Sequence, residues 1–446
     1  MNAFYHLLVA SLWICWAIRM IPTFIYYIVV QHSFAHKFDC CLIDIHLLTR
    51  AGCRDMTHII LVLDAAQRSA LAVTRSLGKL ENIRIVTADS TPSALAAHSK
   101  YSSAYLQSPS SADEPELYLQ WIKRICSESH YSLVIPVTEI TSQLLLMHSE
   151  QLGDIRLPFA SYDTVMSLAD KYRLLVQAKT AGVPVPEFTL FSSSADLQPQ
   201  HLSYPCVIKP CLSRIYTAQG WISTSVKLLN NAQDLHAALA SAPYLAQYPF
   251  MIQEFIPGSG AGLFCLYNKG KPVTFFAHQR LREKPPQGGV SVLSESVAVD
   301  ARLKHYAQQL LDHVHWHGVA MVEFRVTPEG TPYLMEVNTR FWGSLQLSID
   351  AGVDFPRLLA QGELGIAGDI PEHYTIGTRL RWLLGDLDSL YLCLKGAYPL
   401  SYKLKRILAF LTPSPFRTRH ETNRLEDMGP GIYECKTYIR QLLGRS

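Results

Sequence analysis

The sequence predicts an α/β unit, then an α+β domain, then a mostly helical tail. Three observations predict it. Short apolar runs alternate with helical stretches between residues 56 and 160, strand-like runs follow one another directly between 161 and 365, and amphipathic helical spacing takes over from 366 to 446. A chain of 446 residues can hold two or three cores. Its 48% hydrophobic and 17% charged residues argue against long disorder. A net charge of +3 is too small to point to a nucleic-acid partner. Ten cysteines are too sparse for a disulfide scaffold at this length and suit a reducing compartment.

Residues 1–55 are read apart from the rest. Ala3 to Val30 is almost continuously apolar, broken by Arg19 and Pro22. About 20 apolar residues span a bilayer, so one reading is a membrane anchor. The segment is a poor secretory signal, because no basic stretch precedes it and no small-residue cleavage site follows. The other reading is an extension ahead of the true start at Met56, which stands directly before a strand-like run. Cys40, Cys41, His46 and Cys53 lack a standard zinc spacing.

Ile59 to Leu63 reads as a buried parallel strand, Ser69 to Leu77 as a helix closed by Gly78, and Ile83 to Thr87 and Leu133 to Val137 as further strands. This alternation implies a doubly wound unit over residues 56–160. The glycine fingerprint for a dinucleotide is missing, since Asp64-Ala65-Ala66-Gln67 follows the first strand. Glu139, past a strand end, either lines a crevice or merely opens a helix. Asp170 to Ala181 is helical, with Gly182, Pro184 and Pro186 forcing an extended exit. Strands are expected at 205–209, 250–255, 262–267, 272–277, 320–326 and 333–338. In the tail, Leu390 to Leu411 mixes Lys395, Lys403, Lys405 and Arg406 with leucines and aromatics, which suits docking on the body better than a membrane surface.

The chemistry-bearing pattern is Met321-Val322-Glu323-Phe324-Arg325-Val326, a turn at Pro328-Glu329-Gly330, and Tyr333-Leu334-Met335-Glu336-Val337-Asn338-Thr339-Arg340. With Glu329-Gly330 as a two-residue loop, Pro328 pairs Thr331 and Glu323 falls opposite Glu336. Facing like charges are destabilising. Period two puts Glu336, Asn338 and Arg340 on one face, and Met335 and Val337 on the other. Two carboxylates, an amide oxygen and a guanidinium suit a hard divalent cation holding phosphates; a solvated polar face is the alternative. Arg280 and Arg282 sit in a basic stretch, Arg280 to Gly289, read as a loop between strands. Arginines at that spacing can clamp a carboxylate or phosphate, and Gly288 and Gly289 permit close approach to a ligand.

At these residues the chain resembles the ATP-grasp superfamily, in particular members similar to carbamoyl phosphate synthase and D-Ala–D-Ala ligase. The resemblance covers roughly Tyr162 to Gly365, with the preceding unit similar to a Rossmann-like pre-ATP-grasp domain. It implies a two-lobed ATP-grasp domain over 161–365. It also implies that Glu323, Glu336 and Asn338 hold magnesium (two ions, with manganese an alternative) and that Arg340 meets the transferring phosphate. Lys171 and Lys209 would neutralise ATP phosphates. Gln253, Glu254, Phe255 and Ile256 would form the hinge against the purine, and Trp342-Gly343-Ser344 would shape the acceptor side. Arg280 and Arg282 would grip the carboxylate or the acyl phosphate formed from it. The chain departs from the family at Pro210 to Gly220, which lacks the glycine-rich loop over the phosphates; Ser213 and Arg214 stand in that stretch. The resemblance implies a carboxylate–amine ligase with small-molecule substrates, located in the cytoplasm or tethered to the inner membrane face, with homodimer formation left open. A small-molecule kinase and a non-catalytic nucleotide-binding scaffold are the rival readings.

Overall fold

The computed structural model describes residues 57–198, 200, 202–412 and 418–444, so the expectations for residues 1–55 lie outside the described part. The first apolar runs form a parallel sheet of β1 (His58–Val62), β2 (Ile83–Asp89), β3 (Ser102–Gln107) and β4 (Leu133–Ile135), in the order β3-β2-β1-β4. Helices α1 (Arg68–Leu77), α2 (Pro115–Glu128) and α3 (Glu139–Met147) connect or follow these strands. Where a glycine would make the turn after β1, Asp64 does so at φ 57°, a left-handed conformation that Asp tolerates. Its carboxylate accepts from the backbone N–H groups of Val137 and Thr138 at 2.9 Å each, and so ties the ends of β1 and β4 together.

Helix α4 (Tyr162–Ala169) leads into α5 (Lys171–Thr180), whose N-cap Asp170 accepts from the backbone of Tyr172 and Arg173. A small antiparallel lobe follows, ordered β5-β10-β6-β9, from β5 (Phe188–Phe191), β6 (Cys206–Pro210), β9 (Lys227–Leu229) and β10 (Phe250–Glu254), with α6 (Ala232–Ser241) against it. Between β6 and β9 stands a separate hairpin, β7 (Arg214–Thr217) and β8 (Gly220–Ser223), which the sequence reading did not contain.

The large sheet runs β15-β14-β11-β12-β13-β16-β17. It comprises β11 (Ser259–Asn268), β12 (Lys271–Lys284), β13 (Val290–Val297), β14 (Gly318–Val326), β15 (Pro332–Asn338), β16 (Arg379–Arg381) and β17 (Thr418–His420). Alternation along β11 divides the core. Leu263, Cys265 and Tyr267 pack with α7 (Ala301–His313), whereas Phe264 and Leu266 join the core of the first sheet, α8 (Leu345–Ala351) and α9 (Phe355–Leu364). The large sheet and the α/β unit therefore share one apolar core.

The C-terminal region is mostly helical, with α10 (Leu383–Lys395), α11 (Leu400–Leu411) and α12 (Gly429–Leu442), and its β16 and β17 extend the large sheet. It also clamps the α/β unit. Arg75 donates to Asp427 at 2.7 Å with both side chains almost fully buried, and Arg68 pairs with Glu421. Helix α11 does not dock its leucines: Leu400 is 72% and Leu408 66% exposed. The body instead holds it by polar bonds, from Arg282 to the Ala409 carbonyl (3.2 Å) and from Arg381 to that of Phe410 (3.0 Å). Among the described residues no helix is long and apolar enough to cross a membrane.

Candidate functional site

The acids sit on the β14–β15 hairpin. Chain reversal occurs over Thr327 to Gly330, where the Gly330 N–H donates to the Thr327 carbonyl at 2.9 Å, and Val326 pairs Pro332. The loop is thus shifted by one residue from the expected Pro328–Thr331 pairing. A bulge restores the register: Phe324 pairs Leu334 and Glu323 pairs Glu336, leaving Met335 over. Met335 consequently leaves the core face, and its Sδ meets Gln253 Nε2 at 3.7 Å.

Glu323 and Glu336 face each other, with Asn338 beside them. Asn338 Nδ2 donates to Glu323 Oε1 at 3.0 Å and, more loosely, to Glu336 Oε1 at 3.5 Å. Arg280 Nη2 donates to the other Glu323 oxygen at 3.0 Å. Burial, then the facing Glu336 charge, push the Glu323 carboxyl above the ordinary carboxylate range, against the opposing pull of Arg280 and Arg340. Arg340 itself makes no ion pair among the described residues; its Nη1 donates to the Phe341 carbonyl at 2.9 Å.

Lys209, at the end of β6, is 7% exposed. Burial brings its ammonium down to about 8, with Lys171 pushing the same way and Glu336 and Glu323 opposing. Lys171 is equally buried and donates from Nζ to Ser213 Oγ at 2.7 Å. A narrow cleft joins Lys171, Ser213 and Glu139 to Glu336, Asn338 and Arg340. The expected hinge residues lie along and just past β10. Gln253 is buried with its Oε1 unbonded, Glu254 accepts from the Glu187 N–H at 3.3 Å, Ile256 is buried, and Phe255 lies beneath the Arg325 guanidinium.

Two larger cavities meet at Arg340. One, about 320 Å³, is lined by His278, Arg280, Glu323, Glu336, Asn338 and Ser344. The other, about 550 Å³, opens at the C-terminal ends of the parallel strands and includes Asp89, Ser108, Glu139 and Arg214. That is where open α/β sheets place ligands. Arg68 lines both.

The structure does not bring Arg282 to this site. The stretch read as a loop is the end of β12 as far as Lys284, with register shifts between Arg280 and Glu283. Those shifts turn Arg282 to the far side, where it donates to the buried Asp386 at 2.6 Å, so its gripping role is withdrawn. Gly289, at φ 158°, is required by the hairpin itself, since a Cβ there would lie 2.4 Å from the Lys284 carbonyl oxygen.

Sequence reasoning missed His278 and Arg68. Period two from Arg280 would have flagged His278, which burial and Arg280 hold neutral at about 3 while it bonds Ser344 Oγ at 2.9 Å. The crevice rule for strand C-termini would have flagged the start of α1. Acids, His and Cys alone form no metal-holding cluster of three among the described residues; here the Asn338 amide stands beside the two acids. Two facing carboxylates, that of Glu323 desolvated, with an amide alongside, fit magnesium bound through carboxylates and substrate phosphates.

Residues 246–384 match the family model described as ATP-grasp in the biosynthetic pathway with Ter operon. The vancomycin B-type resistance protein VanB of Enterococcus faecalis is 24% identical over 227 residues, 46% of this chain and 64% of that protein. An L-amino acid ligase from Bacillus licheniformis superposes with a TM-score of 0.54 at 18% identity, over 70% of this chain and 75% of that one. Biotin carboxylase from Campylobacter jejuni, in a β-γ-ATP complex, superposes at 0.57 and 17% identity, over 72% and 74%. The fold is that of these solved structures, and the part of the chain that carries the acid facing Glu-x-Asn-x-Arg on neighbouring strands is the part that matches the ATP-grasp family model.

Proposed function

We propose that the chain is an ADP-forming ligase that joins a carboxylate to an amine. The observation that carries the reading is the facing pair Glu323 and Glu336, with Asn338 and an unpaired Arg340 beside it and two buried lysines opposite. That charge pattern is unfavourable alone and is relieved by a metal-bound polyphosphate. The relatives support the class, being named as an amino acid ligase and a biotin carboxylase.

Glu323, Glu336 and Asn338 would hold magnesium, which would supply neutralisation of the phosphate charge. Lys209 and Lys171 bind the nucleotide phosphates as cations, and Gln253 to Ile256 line the purine. A carboxylate oxygen attacks the γ-phosphorus, the bond to the β–γ bridging oxygen breaks, and ADP leaves. Arg340 stabilises charge on the transferring group, so catalysis here is positioning and electrostatics. The amine then attacks the acyl carbon, phosphate departs with the carbon–oxygen bond pair, and the amine loses a proton.

The test is ADP release by the full chain with Mg-ATP, hydroxylamine and a panel of carboxylic acids. Carboxylate-dependent ADP together with a hydroxamate supports the reading. Acceptor-dependent ADP without hydroxamate indicates a kinase, and nucleotide binding without any turnover indicates a scaffold.

A further inference from the structure

The crevice of about 550 Å³ holds a cation that the reaction scheme has not used. Arg214 opens β7, one residue after Ser213, which receives the Lys171 bond. Its guanidinium has no acid partner among the described residues; its one hydrogen bond, at 3.3 Å, goes to the Ser213 carbonyl. The hairpin carrying it does not hang free. Tyr216 and Trp221 pair with ring centroids 4.9 Å apart and pack on the core of the α/β unit beside Leu119 and Leu144. The segment that departs from the glycine-rich loop is therefore fastened to the α/β unit, and both its Arg214 and Arg340 line the crevice.

The crevice wall has its own chemistry. Ser69, Ser90 and Ser108 line it with hydroxyls that have no protein partner among the described residues, and Asp89 and Thr138 add further oxygens. Its volume, about 550 Å³, falls within the roughly 300–1,000 Å³ of clefts that take ligands larger than a small amino acid.

We infer that Arg214 grips the carboxylate to be activated, and that this acid is a polar molecule larger than a single small amino acid, bearing hydroxyl or amide groups that meet the serine wall. The inference rests on the ligase reading. A guanidinium fork matches a carboxylate bidentately, while the serine wall disfavours an aliphatic chain because the hydroxyls it covers lose water and gain no partner.

The experiment compares wild type, Arg214→Ala and Arg214→Lys in two readouts. One is ADP release with L-alanyl-L-glutamate, D-glucuronate, glycine and hexanoate as acids. The other is calorimetric binding of the same acids to the ADP-loaded protein, which does not depend on turnover. Expected for Arg214→Ala is a rise of about tenfold or more in KM and Kd for the polar acids, as loss of a charge-assisted bond implies. ADP affinity should stay within about twofold, and Arg214→Lys should recover part of the loss. Hexanoate and glycine should bind more weakly than the dipeptide or the sugar acid. Unchanged acid binding in Arg214→Ala overturns the grip, as does a loss confined to ADP affinity. Tighter binding of hexanoate overturns the polar class. Acid binding that depends on Arg214 in a protein that never releases ADP upholds the grip and removes the ligase reading beneath it.

Discussion

Lys209 makes ADP affinity depend on pH in a direction fixed by its burial. Its ammonium sits at about 8, because desolvation outweighs the attraction of Glu336 and Glu323. Nucleotide phosphates favour the charged form, so binding takes up a proton wherever Lys209 is neutral beforehand. Affinity is therefore complete below pH 8 and is lost as pH rises through that value. From a free value of about 8, the lysine is about 91% charged at pH 7 and about 9% at pH 9, so Kd should rise about tenfold, or ~1.4 kcal/mol. The assay is calorimetric titration with ADP in EDTA, leaving the chain's own charges alone in the site, in two buffers of different ionisation enthalpy. Proton uptake should peak between pH 8 and the bound-state value. In Lys209→Met the affinity should be low and flat with pH. A Kd constant within twofold from pH 7 to 9, or a slope that survives in Lys209→Met, would refute the assignment.

Three further outcomes follow from named contacts. Glu336→Gln should lower turnover by about 100-fold or more while ADP affinity changes by less than about threefold; retained turnover in steady-state assays would remove the metal assignment. Asp427→Asn leaves buried Arg75 without its ion pair and weakens the bonds from Ser99 Oγ and the Lys100 N–H. It should cost ~3 kcal/mol in urea denaturation, and a loss below ~1 kcal/mol would show that the C-terminal segment is no clamp. Arg282→Ala strips Asp386 of one of its arginines and should lower the midpoint of thermal unfolding, yet leave the carboxylate KM unchanged; a raised KM would return Arg282 to the site.

The strands that matter most were legible because their signal is period two, which needs only local sequence. Glu323 against Glu336 was read from a turn composition, and the pairing is right although the loop is not: a one-residue shift at Thr327–Gly330 is cancelled by the bulge at Met335. Bulges are the part a period cannot announce. The same effect misdirected Arg282, which spacing puts beside Arg280 and the irregular end of β12 turns to Asp386. Strands of three residues, such as β16 and β17, are too short to show any period, so they did not stand out in a C-terminal region read as mostly helical. In α11 amphipathy was visible, but amphipathy does not say which face meets the body. Here arginine bonds to helix carbonyls hold the polar side and leave the leucines outward.

The resting site is unusual in how few of its charges are matched. Glu323 borrows Arg280 and still titrates high, Glu336 faces another carboxylate, Lys209 is a desolvated cation beside Lys171, and Arg340 and Arg214 have no acid partner among the described residues. Structural ion pairs elsewhere in the chain are not built this way: Arg75 with Asp427 and Arg424 with Asp350 are matched and buried. Leaving charges unmatched in one crevice is costly unless a ligand completes them. The missing complement can be read off the residues as a cation between the two acids, a polyphosphate between the lysines and Arg340, and one more anion at Arg214. Metal, nucleotide and carboxylate are the three components the ligase reaction brings together before the amine arrives, and a kinase acting on a neutral alcohol would leave Arg214 without a partner.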